Sequence, residues 1–313
     1  MLATIFSPRI LRGMLPPLSL IVVLGAIFWM LPHTMSYNGL NLLLKLAVPV
    51  ALATLAQMFI LCVNDLDLSL GAFVSLVACI TATWVHDTPL VGYLALACLV
   101  GLYAVMGAMI HLRDLPSIVV TLGMSFVWLG LAVLVLPTPG GAAPDWIRWL
   151  MTTKPALVPL PIIAMVIMAF AVHLFLMRSA LGTILRGAGG NPKALERVGW
   201  SMLRVKMTMF ALAGFFGVLS GMALVGLTTA ADANIGVRYT LLSIAGAILG
   251  GSEFVGGRVS PIGAVIGAAT LLLTGSLLTF LRLNPDFQIG AQGAILIIVL
   301  ALRVLITRRE AKQ

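Results

Sequence analysis

Long apolar stretches, separated by short polar breaks, organise this chain. Stretches nearly free of Asp, Glu, Lys and Arg fall at about 15–32, 43–63, 69–85, 90–111, 116–136, 157–177, 207–227, 238–251, 261–281 and 287–306. Most approach the roughly 20 residues that a helix needs to cross the hydrocarbon core of a membrane. Pro32-His33, Thr88-Pro89, Pro137-Thr138-Pro139-Gly140-Gly141 and Asn284-Pro285-Asp286 supply turn chemistry between them. No apolar–polar alternation of the barrel kind occurs, and backbone in lipid must satisfy its own hydrogen bonds. The pattern therefore predicts an all-α polytopic membrane protein with about ten transmembrane helices. The stretch at 238–251 is short and carries Gly246, Gly250 and Gly251. The stretch at 43–63 has Lys45 near its start, placed to snorkel, and Pro49 inside, which predicts a kink. Gly217-x-x-x-Gly221, Gly246-x-x-x-Gly250 and Gly263-x-x-x-Gly267 are spacings that allow close helix packing.

Composition sharpens the class. The 313 residues are 61% hydrophobic and 9% charged, with a mean hydropathy of +1.12. Soluble domains are about half apolar and about a quarter charged. A soluble enzyme, a disordered chain and a small disulfide scaffold are all excluded. Cys62, Cys79 and Cys98 lie in apolar runs with no metal or disulfide spacing, and read as small core residues. Arg9 and Arg12 precede the first apolar run, but no small-residue cleavage site follows, so the run reads as an uncleaved first span. His33, His86, His111 and His173 form no cluster, and neither His-Glu-x-x-His nor Gly-x-Ser-x-Gly occurs. No catalytic residue and no metal ligand is assigned.

The net charge of +9 would suggest nucleic acid in a soluble protein. In a membrane protein it reports orientation first. A cytoplasmic N-terminus leaves only Lys45, Arg148, Lys154, Arg238 and Arg282 outside; every other Lys and Arg falls inside. An even number of spans also returns the basic tail at Arg308–Lys312 to the cytoplasm, which favours ten spans over nine and puts both termini inside. Nucleic acid is not expected as a partner; membrane lipid is. The outer loop at about 137–156 carries Trp146 and Trp149, which read as interfacial anchors or as a landing surface for an outside partner.

The inner loop at about 178–206 is the longest basic element. Asn191 suits an N-cap, Pro192 the first helical position, and Glu196 the early helix. Ala194, Leu195 and Val198 give a short apolar face, and Gly199 ends it. A helix at 192–198 is predicted, suited to docking in a groove on a soluble partner; the alternative is a solvated basic loop that only enforces topology. Gly187, Gly189 and Gly190 precede Lys193 without the phosphate-loop spacing, so any ATPase is another chain.

Two polar points interrupt the apolar runs. Asn64-Asp65-Leu66-Asp67-Leu68-Ser69-Leu70-Gly71 either caps the third span through Ser69 or Asp67, or forms a broken segment lining a translocation path. Gly250-Gly251-Ser252-Glu253 runs on to Gly256-Gly257-Arg258, where Glu253 and Arg258 could pair with each other or with the Asp65 region.

Three segments, in order, resemble the permease subunit of bacterial ABC importers of the ribose/monosaccharide type. Asn64 to Gly71 is similar to that family's Gly-Gly-Ile-Asp-Leu-Ser-Val-Gly signature. Gly190-Asn-Pro-Lys-Ala-Leu-Glu-Arg-Val-Gly199 is similar to its Gly-Asn-x-x-Ala-Ala-x-x-x-Gly coupling segment. Leu249-Gly-Gly-Ser-Glu-Phe-Val-Gly-Gly-Arg258 is similar to its Leu-Gly-Gly-x-x-x-x-Gly-Gly-x pattern. Asn64-Asp65 departs from a small or apolar family pair, and Glu253 stands where a small or apolar residue is usual.

The resemblance implies a single permease domain over 1–313 in the bacterial inner membrane. It would work with a second permease subunit, identical or related, with a cytoplasmic ABC ATPase that carries ATP and Mg, and with a periplasmic substrate-binding protein. The chain itself would bind no cofactor and would not be an enzyme. Asn191, Pro192, Ala194, Leu195, Glu196, Val198 and Gly199 would couple to the ATPase. Asn64, Asp65, Asp67, Ser69, Glu253 and Arg258 would be candidates for the path or its gate. The solute would be a monosaccharide, with a nucleoside or a branched-chain amino acid as alternatives of the same class. An ion-coupled secondary transporter would need carboxylates deep within spans, whereas most acids here fall at span ends.

Overall fold

The computed structural model describes residues 8–254 and 256–282, together with Gly290 and Ala294. The described chain is helical and holds no strand beyond one isolated bridge, Gly140 with Ala231. Helix α1 is Pro8–Met30, and a short 3-10 turn at Pro32–Met35 leads to α2, Tyr37–Leu44. Helices α3, Ala47–Cys62, and α4, Leu70–Ile80, follow, and α4 continues as a π-turn over Thr81–Val85. Next are α5, Pro89–Leu112, α6, Ser117–Val135, and the short α7, Asp145–Thr152. Helix α8, Leu160–His173, runs into a π-turn at Leu174–Arg178. The short pair α9, Ala180–Gly190, and α10, Pro192–Arg197, comes before α11, Met202–Thr228. Helices α12, Tyr239–Leu249, and α13, Pro261–Phe280, complete the described part.

The all-α expectation holds, while the described residues do not by themselves reach the expected count of ten spans. Among the described residues, six helices are long and apolar enough to cross a membrane, or seven if α2 and α3 count as one bent span. That pair bends by 41° at Lys45-Leu46. Pro49 falls in the first turn of α3, where its missing N–H costs no helical bond. The expected spans at 69–85 and 238–251 are shorter apolar helices, and the expected span at 287–306 lies outside the described residues.

Burial separates the helices into two tiers. The best apolar windows of α1 and α6 are 11% and 17% buried, whereas those of α11 and α13 are 61% buried. Every residue of α3 is buried. Helices α3, α11, α12 and α13 form the centre, while α1, α5, α6 and α8 turn broad apolar faces outward, as lipid-facing helices do. Small residues let the central helices touch. A Cβ on Gly217 or Gly221 of α11 would run into Phe73 or Val77 of α4. The Ser220 hydroxyl donates to the Pro49 carbonyl across α11 and α3 at 2.7 Å.

The two short helices are short for a geometric reason. Helix α4 and its π-turn hold 11 and 5 residues, about 24 Å, against about 36 Å for the 24 residues of α5. They meet at the turn 86–88, so α4 starts well short of the far end of α5. The linker 63–69 therefore rises into the bundle before α4 begins. Segment 229–238 descends from the opposite end, where Ala231 pairs with Gly140. It brings the N–H of Gly236 to the Ser75 hydroxyl, while the Gly71 N–H donates to the Thr240 hydroxyl, both at 2.9 Å. The N-termini of α4 and α12 thus meet inside the bundle, and the two half-helices run apart to opposite ends. Arg238, expected in an outer loop, lies at this interior level.

Candidate functional site

The linker 63–69 is the polar hub of the molecule. Asn64 adopts a left-handed φ of 62°, which turns the chain off the end of α3. Its Nδ2 donates to the Gly189 carbonyl at 2.8 Å, and its Oδ1 accepts from the Gly256 N–H at 3.1 Å. One side chain therefore joins three segments: the end of α3, the end of α9 and the glycine-rich loop 250–258. The backbones approach closely here. A Cβ on Gly189 would collide with the Cys62 carbonyl oxygen, so no larger residue fits.

Asp65 makes an ion pair with Lys206 of α11, Nζ to Oδ2, at 2.9 Å. Side-chain accessibilities of 10% and 16% make this a largely desolvated pair. It explains why a carboxylate is tolerated where the apolar runs made it costly.

Asp67 is fully buried and saturated with donors. Its Oδ1 accepts from the Ser69 N–H and the Ser69 hydroxyl, each at 2.7 Å, and its Oδ2 accepts from the Tyr103 hydroxyl at 2.8 Å. Gln57 of α3 brackets the Asp67 backbone at 3.1 Å on each side, with its amide nitrogen on the carbonyl and its amide oxygen on the N–H. Ser117 and Thr121 of α6 accept from the N–H groups of Leu66 and Leu68 at 3.2 and 3.1 Å. Tyr103 is wedged by Phe73 and stacked on Trp128, with ring centroids 4.4 and 6.2 Å away. Asp67 and Ser69 do not meet an open cavity: they lock the linker against α3, α5 and α6. Ser69 occupies the N-cap position of α4 without a side-chain cap bond, because its hydroxyl is turned to Asp67.

Glu253 and Arg258 pair locally at 3.6 Å, and the Glu253 N–H donates to the Arg258 carbonyl at 2.8 Å. With Arg258 at 70% accessibility, the ion pair adds little stability. The Asp65 region meets this loop through Asn64 rather than through a charge.

The short helix α10 forms as its residues predict. The Asn191 side chain accepts from the Ala194 N–H at 3.0 Å, Pro192 opens the first turn, and Gly199 follows the helix with a φ of +85°. Its apolar face is split. Leu195 is buried, whereas Ala194 and Val198 are exposed, and Glu196 is exposed beside them. Leu195 is needed as an anchor, because a six-residue helix has no other buried side chain to hold it down. The preceding helix α9 was not expected from four glycines at 182–190, which are poor helix formers. The N-cap hydroxyl of Ser179, accepting from Gly182 at 2.9 Å, and packing against α3 and α11 override that propensity. A cavity lined by Arg186, Asn191, Gly256, Gly257 and Arg258 opens between α9 and loop 250–258.

Sequence reasoning missed Gln57, Tyr103, Thr121 and Lys206. Gln57 alone carried a signal, as an uncharged polar side chain deep in an apolar run. Lys206 stood among several loop cations, and nothing local marked it as the partner of Asp65.

Long apolar helices, interrupted central helices and polar linkers inside the bundle mark a helical membrane protein built partly from discontinuous helices. The chain belongs to the family described as branched-chain amino acid transport system / permease component, whose model matches residues 39–300. It is 27% identical to the probable ABC transporter permease protein YphD of Escherichia coli, over 90% of this chain and 86% of that one. It is 25% identical to the ribose import permease protein RbsC of Haemophilus influenzae, over 93% of each chain. It is 24% identical to the D-allose transport system permease protein AlsC of Escherichia coli, over 92% of this chain and 91% of that one. No solved structure matches the chain.

Proposed function

We propose that this chain, as one permease domain in the bacterial inner membrane, forms half of the path of an ATP-driven importer. A second permease subunit, identical or related, supplies the other half. ATP and Mg are held by separate cytoplasmic ATPase subunits, and a periplasmic binding protein delivers the solute. The solute is a monosaccharide, in keeping with relatives named for ribose and allose import. The family description keeps a branched-chain amino acid as the second choice.

One observation carries the coupling part of this proposal. The exposed α10 is capped at Asn191 and anchored by Leu195, and Asn64 bonds the end of the adjoining α9 to the linker 63–69. A push on α9 and α10 by an ATPase is thereby delivered to the linker and to the start of α4. Two-state rocking of helices about such a rigid contact is the usual repertoire of domain transport motions.

The test is co-purification and uptake. An ATPase of separate sequence should copurify with the wild-type chain. Glu196→Arg should insert normally, and yet lose ATPase binding and ATP-driven uptake. Unchanged binding and uptake in that variant would reject the coupling role of α10.

A further inference from the structure

Arg238 is the residue that opens α12. Its side chain is exposed, and Val237 and Leu241, four positions apart on one side of this turn, are 45% and 73% exposed. Residues 236–240 lie beside 71–75, through the bonds Gly236 to Ser75 and Thr240 to Gly71. Counted down α4 from the turn at 86–88, that level is about 16–22 Å inside the bundle. Counted along the 11 residues of α12, it is about 16 Å from the opposite end. Arg238 therefore sits far from both ends.

A long cationic side chain can snorkel to the interface from a helix end, but not from this depth. Exposed to lipid here, it would carry a heavy desolvation penalty. Nor is it neutralised at its own level: among the described residues no carboxylate lies within ion-pair distance, and Asp67 is enclosed by Ser69 and Tyr103. With no carboxylate beside it among the described residues, a guanidinium at this depth is best accommodated by water.

We propose that the face of α12 carrying Val237, Arg238 and Leu241 lines the water-filled solute path, and that Arg238 binds oxygen atoms of the solute there. A guanidinium offers five donors in a planar fork, which suits vicinal hydroxyls or a carboxylate. The N-terminus of α12, beside that of α4, adds positive potential at the same level and reinforces the preference for electron-rich oxygen. Val237 and Leu241 form the apolar wall past which the solute slides. The proposal rests on the permease function above and extends it by naming the contact surface.

The test uses the complete transporter in membrane vesicles, with Cys62, Cys79 and Cys98 replaced by Ser. Arg238→Cys should react with a membrane-impermeant quaternary-ammonium methanethiosulfonate. Phe126→Cys, at a 69% exposed position in the middle of α6, should not. Reaction of the Arg238→Cys variant only with a lipid-permeant maleimide, or with neither reagent, would overturn the proposal. Labelling needs neither solute nor ATPase, so labelling of Arg238→Cys combined with no ATP-driven uptake by the wild-type transporter, which keeps Arg238, would count against the permease function alone. A second arm addresses solute contact. Arg238→Met should raise the KM for uptake tenfold or more, and Arg238→Lys should raise it less, both with little change in kcat. An unchanged KM in both variants would overturn the contact with solute.

Discussion

The Asn64 side chain donates to the carbonyl of Gly189, 125 positions away in the chain, at 2.8 Å. The same side chain accepts from Gly256, so one amide holds the ends of α3 and α9 and the loop 250–258 together. Its two roles, left-handed turn and bridge, can be separated by substitution. Asn64→Gly keeps the backbone at ease at positive φ and removes only the bridge. Each lost bond is worth about 0.5–1.5 kcal/mol net. Insertion should persist, while ATP-driven uptake falls several-fold. Asn64→Ala adds about 1–2 kcal/mol of left-handed strain and should unfold earlier in a detergent melt than Asn64→Gly. Equal melting and normal uptake in both variants would remove the bridge from the transport cycle.

The Asp65–Lys206 pair predicts an asymmetric mutational pattern. Removing one partner leaves a largely desolvated charge, which costs about 3–5 kcal/mol. Lys206→Met and Asp65→Leu should each lower the melting temperature strongly. The double variant should recover much of the loss, because a well-packed apolar pair can replace a buried ion pair. A double variant that melts no higher than the worse single variant would contradict this.

Tyr103→Phe should destabilise the bundle through Asp67. The change leaves Oδ2 without its donor at a site with no access to water. Bonds to charged groups are worth about 1.5–3 kcal/mol. In the Asp67→Asn background the same substitution should cost less. A double-mutant cycle on unfolding midpoints measures the difference, and a coupling of zero would separate the two residues.

Gly71→Ala tests the meeting of the half-helices. The added Cβ would lie 2.5 Å from the Thr240 hydroxyl and 2.6 Å from the Val237 carbonyl. One of those atoms is backbone, so α4 and α12 must separate. The variant should lose transport with its membrane spans retained, and Thr240→Ser should not rescue it. Wild-type uptake in Gly71→Ala would show that the contact opens freely.

Much of this protein was legible along the chain. Hydropathy marked α1, α5, α6, α8, α11 and α13, since a helix in lipid must be long, apolar and self-bonded. Asn191, Pro192 and Gly199 marked α10, because capping depends on residues within one or two turns of each other. The polar linker at 64–69 and the glycine loop at 250–258 stood out for the same local reason.

Partners distant in sequence were not legible. The carboxylates of Asp65 and Asp67 looked alike between apolar runs. The tertiary structure gave one to Lys206 of α11 and the other to Tyr103 of α5, because an ion pair or a buried donor depends on which helix lies alongside. Arg238 read as an outer-loop cation from its place before an apolar run. Only the fold of 229–238 back into the bundle put it at the level of Gly71. The sequence by itself determined which segments belong in a membrane, since transfer free energy adds residue by residue along a helix. The tertiary structure decided which polar residues are enclosed and which still face open space, since that depends on the helices brought beside them.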